Sequence, residues 1–195
     1  MARLSAGADL HRDHWINSRD QLDKIKRLVG LGVDEALALV EFRYAATDEQ
    51  FPTIAKLRAV RRLWARVLEA SGAAPRDLRL HAVTSRPMMT KYDPWVNMLR
   101  TCVASFAAGV GGADAVTVLP FDAPLGLPDA FARRIARNTS SLLISESHVA
   151  IVADPAGGSH VVEKLTDDIA QAGWSAFGEL ESAGGVLAGL PALKV

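Results

Sequence analysis

Five basic side chains crowd one stretch of the chain: Lys56, Arg58, Arg61, Arg62 and Arg66 fall between Phe51 and Ser71. Guanidinium groups gathered this way can clamp a phosphate or a carboxylate. They can equally form the solvated, charge-rich face of a helix, and that is the expected role for most of them. A second candidate is the turn Asp154-Pro155-Ala156-Gly157-Gly158-Ser159. Its backbone N–H groups are of the kind that cradle a phosphate, although the lysine and spacing of a P-loop are missing. His11 and His14 have the H-x-x-H spacing of two metal ligands on a helix. In so polar a terminus, two solvated imidazoles are the plainer expectation. Cys102 has no histidine near it in sequence and reads as a buried, inert thiol.

The elements that must position these groups alternate between two periodicities. Ser18 and Gln21 form a capping box ahead of a narrow apolar stripe, Leu22, Ile25, Leu28 and Val29, which Gly30 and Gly32 end. Val33 to Val40 reads as a short helix running into a strand near 39–45. Pro52 then opens a strong helix with Ile54, Leu57, Leu63, Val67 and Leu68 on its apolar side. A strand near 78–84, a helix from Trp95 to Gly109 and a strand near 113–119 make one strand–helix–strand unit, with Gly111-Gly112 as the helix stop. Ala104, Ala107, Ala108 and Gly109 leave that helix small on one side, fit for close approach. Leu127-Pro128-Asp129 begins another helix, Val149 to Val152 reads as a fourth strand, and Val161 to Ser182 as a last helix ended by Gly184-Gly185. Strand spacing of about 35–40 residues is that of βα units. Four such units make half of a (β/α)8 barrel or a small open sheet. No GxGxxG follows the first strand, which disfavours a dinucleotide fold.

Composition narrows the function classes. With 195 residues, 49% of them hydrophobic and 23% charged, the chain is globular rather than disordered. Twenty-two basic residues balance 22 acidic ones, so nothing suggests nucleic acid or an acidic membrane as a partner. One cysteine excludes an internal disulfide and fits a reducing compartment. The first residues lack a signal-peptide core and no apolar run is long enough to cross a bilayer. A cytoplasmic protein is expected.

Several motifs, taken together and in order, resemble the methylmalonyl-CoA mutase family from about Val33 to Gly185. They are Ala55-Lys56-Leu57-Arg58-Ala59 with Arg61-Arg62-Leu63-Trp64, then Thr84-Ser85, Asp93-Pro94-Trp95-Val96-Asn97, Arg100-Thr101 and Phe121-Asp122. Arg134-Ile135-Ala136-Arg137-Asn138-Thr139, Glu146-Ser147, and Asp154-Pro155 with Gly157-Gly158-Ser159 complete the set. The resemblance implies the C-terminal half of a partial (β/α)8 TIM barrel, about four βα units, of the kind that encloses an acyl-CoA. It divides the chain into 1–32, unlike the family and partly helical, the barrel portion 33–185, and a tail 186–195. The family's isomerases use adenosylcobalamin to interconvert methylmalonyl-CoA and succinyl-CoA through radicals, and hold the cobalamin in a separate flavodoxin-like domain.

The departures from the family pattern point to its small, non-catalytic subunit in bacterial heterodimers. Where catalytic chains carry glycine-Thr-Gln-Ser-Leu-His-Thr-Asn, this one has Gly112-Ala113-Asp114-Ala115-Val116-Thr117-Val118-Leu119, and Gly-Trp after Thr84-Ser85 is replaced by Arg86-Pro87. No DxHxxG cobalamin motif occurs, and the catalytic tyrosine, arginine and histidine of the barrel's first half have no counterpart. The resemblance therefore implies no catalytic residue, no metal site, and no adenosylcobalamin bound by this chain alone, the cofactor belonging to the parent complex. Three positions carry over. Arg61 matches an arginine that contacts CoA, with a structural role on its charged helix as the alternative. Asp114 takes the place of a cofactor-facing glutamine, or pairs with a neighbouring helix. Glu146 matches a glutamate near the cofactor, or is a surface carboxylate at a helix end. Four strands cannot close a barrel, so exposed ladder groups should seek a partner: the large subunit, a complementary half-barrel, or a second copy. An active acyl-CoA isomerase completed by a second chain is the alternative reading. An unrelated phosphate-binding enzyme built on the 154–159 turn is a more distant one.

Overall fold

The computed structural model describes residues 33–185. Helix α1 (Val33–Ala38) leads into strand β1 (Glu41–Ala46), and helix α2 (Gln50–Ser71) crosses to β2 (Arg79–Thr84). Helix α3 (Val96–Val110) crosses to β3 (Ala115–Thr117), followed by α4 (Ala130–Ser145) and α5 (His160–Ser182). The three strands are parallel in the order β1-β2-β3, with Glu41 opposite Arg79 and His81 opposite Ala115. The stops follow local chemistry. Gly72 ends α2 in the left-handed conformation, φ 65°, and Ala73 N–H closes back on Leu68 O, the signature of a glycine C-cap. Asp129 caps α4 by accepting from Ala132 N–H at 2.6 Å.

Alternation sets the sheet's two faces. Phe42, Tyr44, Leu80, Ala82 and Val116 point toward the helices, and all but Val116 are buried. Glu41, Arg43, Arg79, His81 and Thr117 take the other face, which no helix covers among the described residues. The main core joins Phe42, Tyr44, Leu57, Val60, Trp64, Leu68 and Leu80. Helix α2 lies between the sheet and α5, so it buries residues on more than one side. Small residues permit the closest helix approach. Ala104, Ala107 and Ala108 of α3 are fully buried, and a Cβ on Gly111 would lie 3.2 Å from the Ile54 Cα. Gly111, rather than Gly109, is thus the position where two backbones meet.

The expected fourth strand is absent. Residues 149–153 form bends and turns, and Ile151 and Val152 are exposed. His148 and Asp154 bracket the run with positive φ, 53° and 48°, which breaks an extended path at both ends. Ile151 N–H turns back on His148 O and Gly157 N–H on Asp154 O. The run is apolar because Val149 packs against Ile54, Ala107 and Val162, not because it pairs with β3. Among the described residues, three strands rather than four make a mixed α/β fold with a small parallel sheet. The capping box at Ser18, the following stripe and the His11/His14 pair lie outside the described residues.

Candidate functional site

In parallel α/β folds, ligands gather at the C-terminal ends of the strands, and the N-terminal ends serve stability. Arg61 and Asp114 come together here, but at the N-terminal ends. The Arg61 guanidinium donates to Leu78 O at 3.0 Å, to Gly112 O, and to Asp114 Oδ2 at 3.0 Å. Leu78 and Gly112 lie just before β2 and β3, so one side chain fastens both strand starts to α2. Asp114 Oδ2 also accepts from Leu80 N–H at 2.8 Å, and Asp114 N–H donates to Leu80 O. Asp114 thus forms an ion pair with Arg61 of the neighbouring helix. Glu146 C-caps α4, exposed, and shares no hydrogen bond or ion pair with the other two.

At the opposite end, the residues of the quoted motifs are engaged with the chain's own backbone. Thr84 Oγ accepts from Leu119 N–H at 2.8 Å, and Ser85 N–H donates to Ala46 O at 2.7 Å. Asn97, fully buried, accepts from Thr90 N–H and donates to Thr90 O and Phe121 O, all at 2.9 Å. It pins the 85–95 and 118–122 loops to the start of α3. Trp95 stacks on Phe121 at 4.9 Å between ring centres, closing the same junction. Arg100 donates to Met88 O and lies 3.7 Å from Asp48. Each of these polar groups stabilises loop geometry that a buried, unpaired backbone would lose.

Two basic residues escaped the sequence reading of α2 as a solvated face. Lys56 is largely buried at the C-terminal end of β1, where its Nζ donates to Ala45 O at 2.6 Å. Burial lowers its pKa to about 8, against a smaller opposing pull from Glu49. Arg58 is 16% exposed and donates to both Asp154 Oδ2 and Glu163 Oε1 at 2.8 Å. The hydrogen bond to Glu163 is the main reason its pKa is raised, and that same bond holds the Glu163 carboxyl below its usual range. A helix packed on two sides leaves its flanking charges little water, a fact that helical periodicity alone does not contain. Cys102 is half-buried on α3 rather than sealed in the core.

The same network answers the phosphate-cradle reading of the 154–159 turn. Gly157 N–H donates to Asp154 O, Ser159 N–H to Ala156 O, and Gly158 N–H to Glu163 Oε1 at 3.2 Å. A carboxylate of the chain itself already sits where an anion would. Among the described residues no group of three metal-ligating side chains occurs, and no helix is long and apolar enough to cross a membrane.

Cofactor fit can be judged at β3. Ala115, Val116 and Thr117 offer one polar side chain, and the Thr117 hydroxyl lies 2.8 Å from His81 Nε2. His81 Nδ1 in turn lies 3.6 Å from Glu41. With Asp114 held by Leu80 and Arg61, the strand has no free donor set for a corrin or an adenosyl group, and the residues present do not fit one.

Comparison with known proteins places these features. A family model described as methylmalonyl-CoA mutase matches residues 23–192, wider at both ends than the span the motifs marked. A methylmalonyl-CoA mutase small subunit from Streptomyces virginiae is 68% identical over 162 residues, covering 83% of this chain and 26% of that protein. The corresponding small subunit from Propionibacterium freudenreichii subsp. shermanii is 48% identical over 160 residues, 80% of this chain and 25% of its own length. The mitochondrial methylmalonyl-CoA mutase of Bos taurus is 38% identical over 175 residues, 85% of this chain and 23% of its own. The chain thus spans about a quarter of the relatives it matches. With most of its length matched by the family model and its motifs forming the loop junctions of a parallel α/β fold, the chain belongs to the methylmalonyl-CoA mutase family.

Proposed function

We propose that this chain is a non-catalytic, structural portion of the small subunit of an adenosylcobalamin-dependent methylmalonyl-CoA mutase. It supplies part of a (β/α)8 barrel that a larger catalytic subunit needs beside it. The observation that carries this reading is the state of Arg61 and Asp114, two of the three positions that the family match singled out. Both are bound into the N-terminal ends of the strands, where they hold the sheet to α2. The apolar β3 supports the further view that the cofactor belongs to the parent complex and not to this chain. The single half-buried cysteine is consistent with work in a reducing cytoplasm.

The surface supports a need for a partner. Helix α4 buries only Ala132 and Ala136, while Phe131, Leu142 and Ile144 stay exposed, as do Leu125 and Leu127 before it. Both edge strands lack a neighbour among the described residues, and a row of open ladder groups favours association. The complementary surface is a large mutase subunit or the remainder of a barrel. Light scattering on the purified chain, alone and mixed with a large subunit from the same source, tests this. A mixed complex of defined mass is expected, with no change in the absorbance of adenosylcobalamin added to this chain alone. A spectral shift with the isolated chain, or failure to form any mixed complex, would overturn the reading.

A further inference from the structure

We propose, resting on the subunit role given above, that α4 offers an arginine-and-aromatic face on which the large subunit docks. The docking surface sets carboxylates among apolar side chains. Ala132 and Ala136 bury α4 against the rest of the fold, with α3 as its main neighbour. A helix turns about 100° per residue, and Arg134 stands two positions from each alanine, so it faces away from the core. In a (β/α)8 barrel the helices form the outer ring, and that side stays outward after the barrel closes. What covers it must come from outside the barrel.

Charge and composition define the occupant. α4 holds Arg133, Arg134 and Arg137 and no acidic residue. Arg133 donates to Pro128 O, and Arg134 lies over the Phe131 ring, 5.3 Å from its centre. Arg137 is exposed and has no hydrogen bond or ion pair among the described residues. None of the three serves the helix's own dipole, which favours cations in the last turn, where α4 has none. Beside them runs an apolar strip. Phe131 and Leu142 lie about three turns apart on one stripe, and both are exposed. Leu127, just before the helix, is fully exposed. Phe131 continues into Trp95, also exposed, at 6.5 Å between ring centres. Exposed aromatic rings with arginine beside them are the composition of interface anchors. A partner that buried this face without carboxylates would strand the Arg134 and Arg137 guanidinium groups, a cost that apolar contact does not recover.

Surface plasmon resonance between the full chain and the purified large subunit from the same source tests the proposal. Association should slow at least about tenfold between about 50 and about 500 mM NaCl, as charges meeting across solvent become screened. Arg137→Glu breaks no hydrogen bond or ion pair among the described residues and should weaken binding about tenfold at low salt. Arg76→Glu makes the same change in net charge in the exposed loop before β2 and should leave binding within about twofold. Leu142→Ser should shorten the life of the complex at both salt concentrations, with circular dichroism confirming unchanged helix content. A complex that forms but ignores salt and both α4 substitutions would overturn the proposal and leave the subunit role standing. No complex at all would overturn both. Arg137-dependent binding to phosphatidylglycerol vesicles, or Arg137-dependent self-association of the chain alone, would also overturn it, because a lipid surface or a second copy would then be the occupant.

Discussion

Replacing Arg61 separates a ligand-binding arginine from a structural one without any activity assay. Arg61→Ala removes the donor from Leu78 O, Gly112 O and Asp114 Oδ2 at once. Asp114 is 55% exposed, so its carboxylate rehydrates and keeps Leu80 N–H; that part of the loss is below about 1 kcal/mol. The two carbonyls matter more. A hydrogen bond from a charged donor contributes about 1.5–3 kcal/mol where water is excluded, and Arg61 is itself 34% exposed, which puts the pair near the lower bound. We expect a total destabilisation of about 2–3 kcal/mol for Arg61→Ala, and roughly half of that for Arg61→Lys, whose ammonium cannot span both strand starts. Asp114→Asn should cost less than about 1 kcal/mol, with a coupling to Arg61 of about 0.2–1 kcal/mol in a double-mutant cycle. Urea unfolding followed by circular dichroism at constant m-value reads all five proteins, the parent and the double mutant included. If Arg61→Ala unfolds within 0.5 kcal/mol (about the resolution of such measurements) of the parent, the arginine does not secure the sheet and the reasoning fails.

Other expectations follow from single features. Asn97→Ala leaves three loop groups unpaired in a fully buried site and should destabilise by about 3 kcal/mol or more, seen as a lowered urea midpoint. Gly111→Ala drives a methyl to 3.0 Å from Ala107 O, 3.1 Å from Leu57 and 3.2 Å from the Ile54 Cα, with φ of −73° leaving no backbone strain, so a loss of about 1–3 kcal/mol would come from crowding at the α2–α3 contact. Lys56 has a folded pKa of about 8 against an ordinary value of 10.5, so the folded chain holds fewer protons between those values. Stability should therefore rise with pH through that window, by an amount on the order of 3 kcal/mol, and Lys56→Met should abolish the rise. Tyr44, whose pKa burial raises, works in the opposite direction at higher pH and remains in both proteins, so comparing the two urea series isolates the lysine.

Much of the architecture was legible because its signals are local. Pro52 and Gly72 bound α2, Asp129 caps α4, and the small residues of α3 announce a close approach that Ala104, Ala107 and Ala108 make. Asp114 could be read as a partner for a neighbouring helix because an aspartate opening an apolar strand needs some cation. What escaped depends on tertiary surroundings. An apolar run such as Val149 to Val152 looks the same whether it pairs with a strand or lies against a helix, and only His148 and Asp154, both left-handed, decide against pairing. Lys56 and Arg58 looked solvated because one amphipathic face was counted, whereas α2 is covered by the sheet and by α5. The phosphate-like turn failed for a related reason: Glu163, on the next helix, already occupies it.

The packing of α5 on α2 also sets an order of events during synthesis. Residues 50–71 are made well before the helix that covers their outer side, residues 160–182, the last described element of the chain. Sheet and inner helix faces join neighbours in sequence, so β1, α2 and β2 can pair as they emerge. Val60, Leu63 and Trp64 must wait for Trp174 and Phe177, more than a hundred residues later. At about 5–20 residues per second, that interval is several seconds to some tens of seconds of exposed aromatic surface. The nascent chain is therefore most vulnerable between the synthesis of α2 and that of α5, and a chaperone that holds it then would be competing with α5 for one face of a single helix.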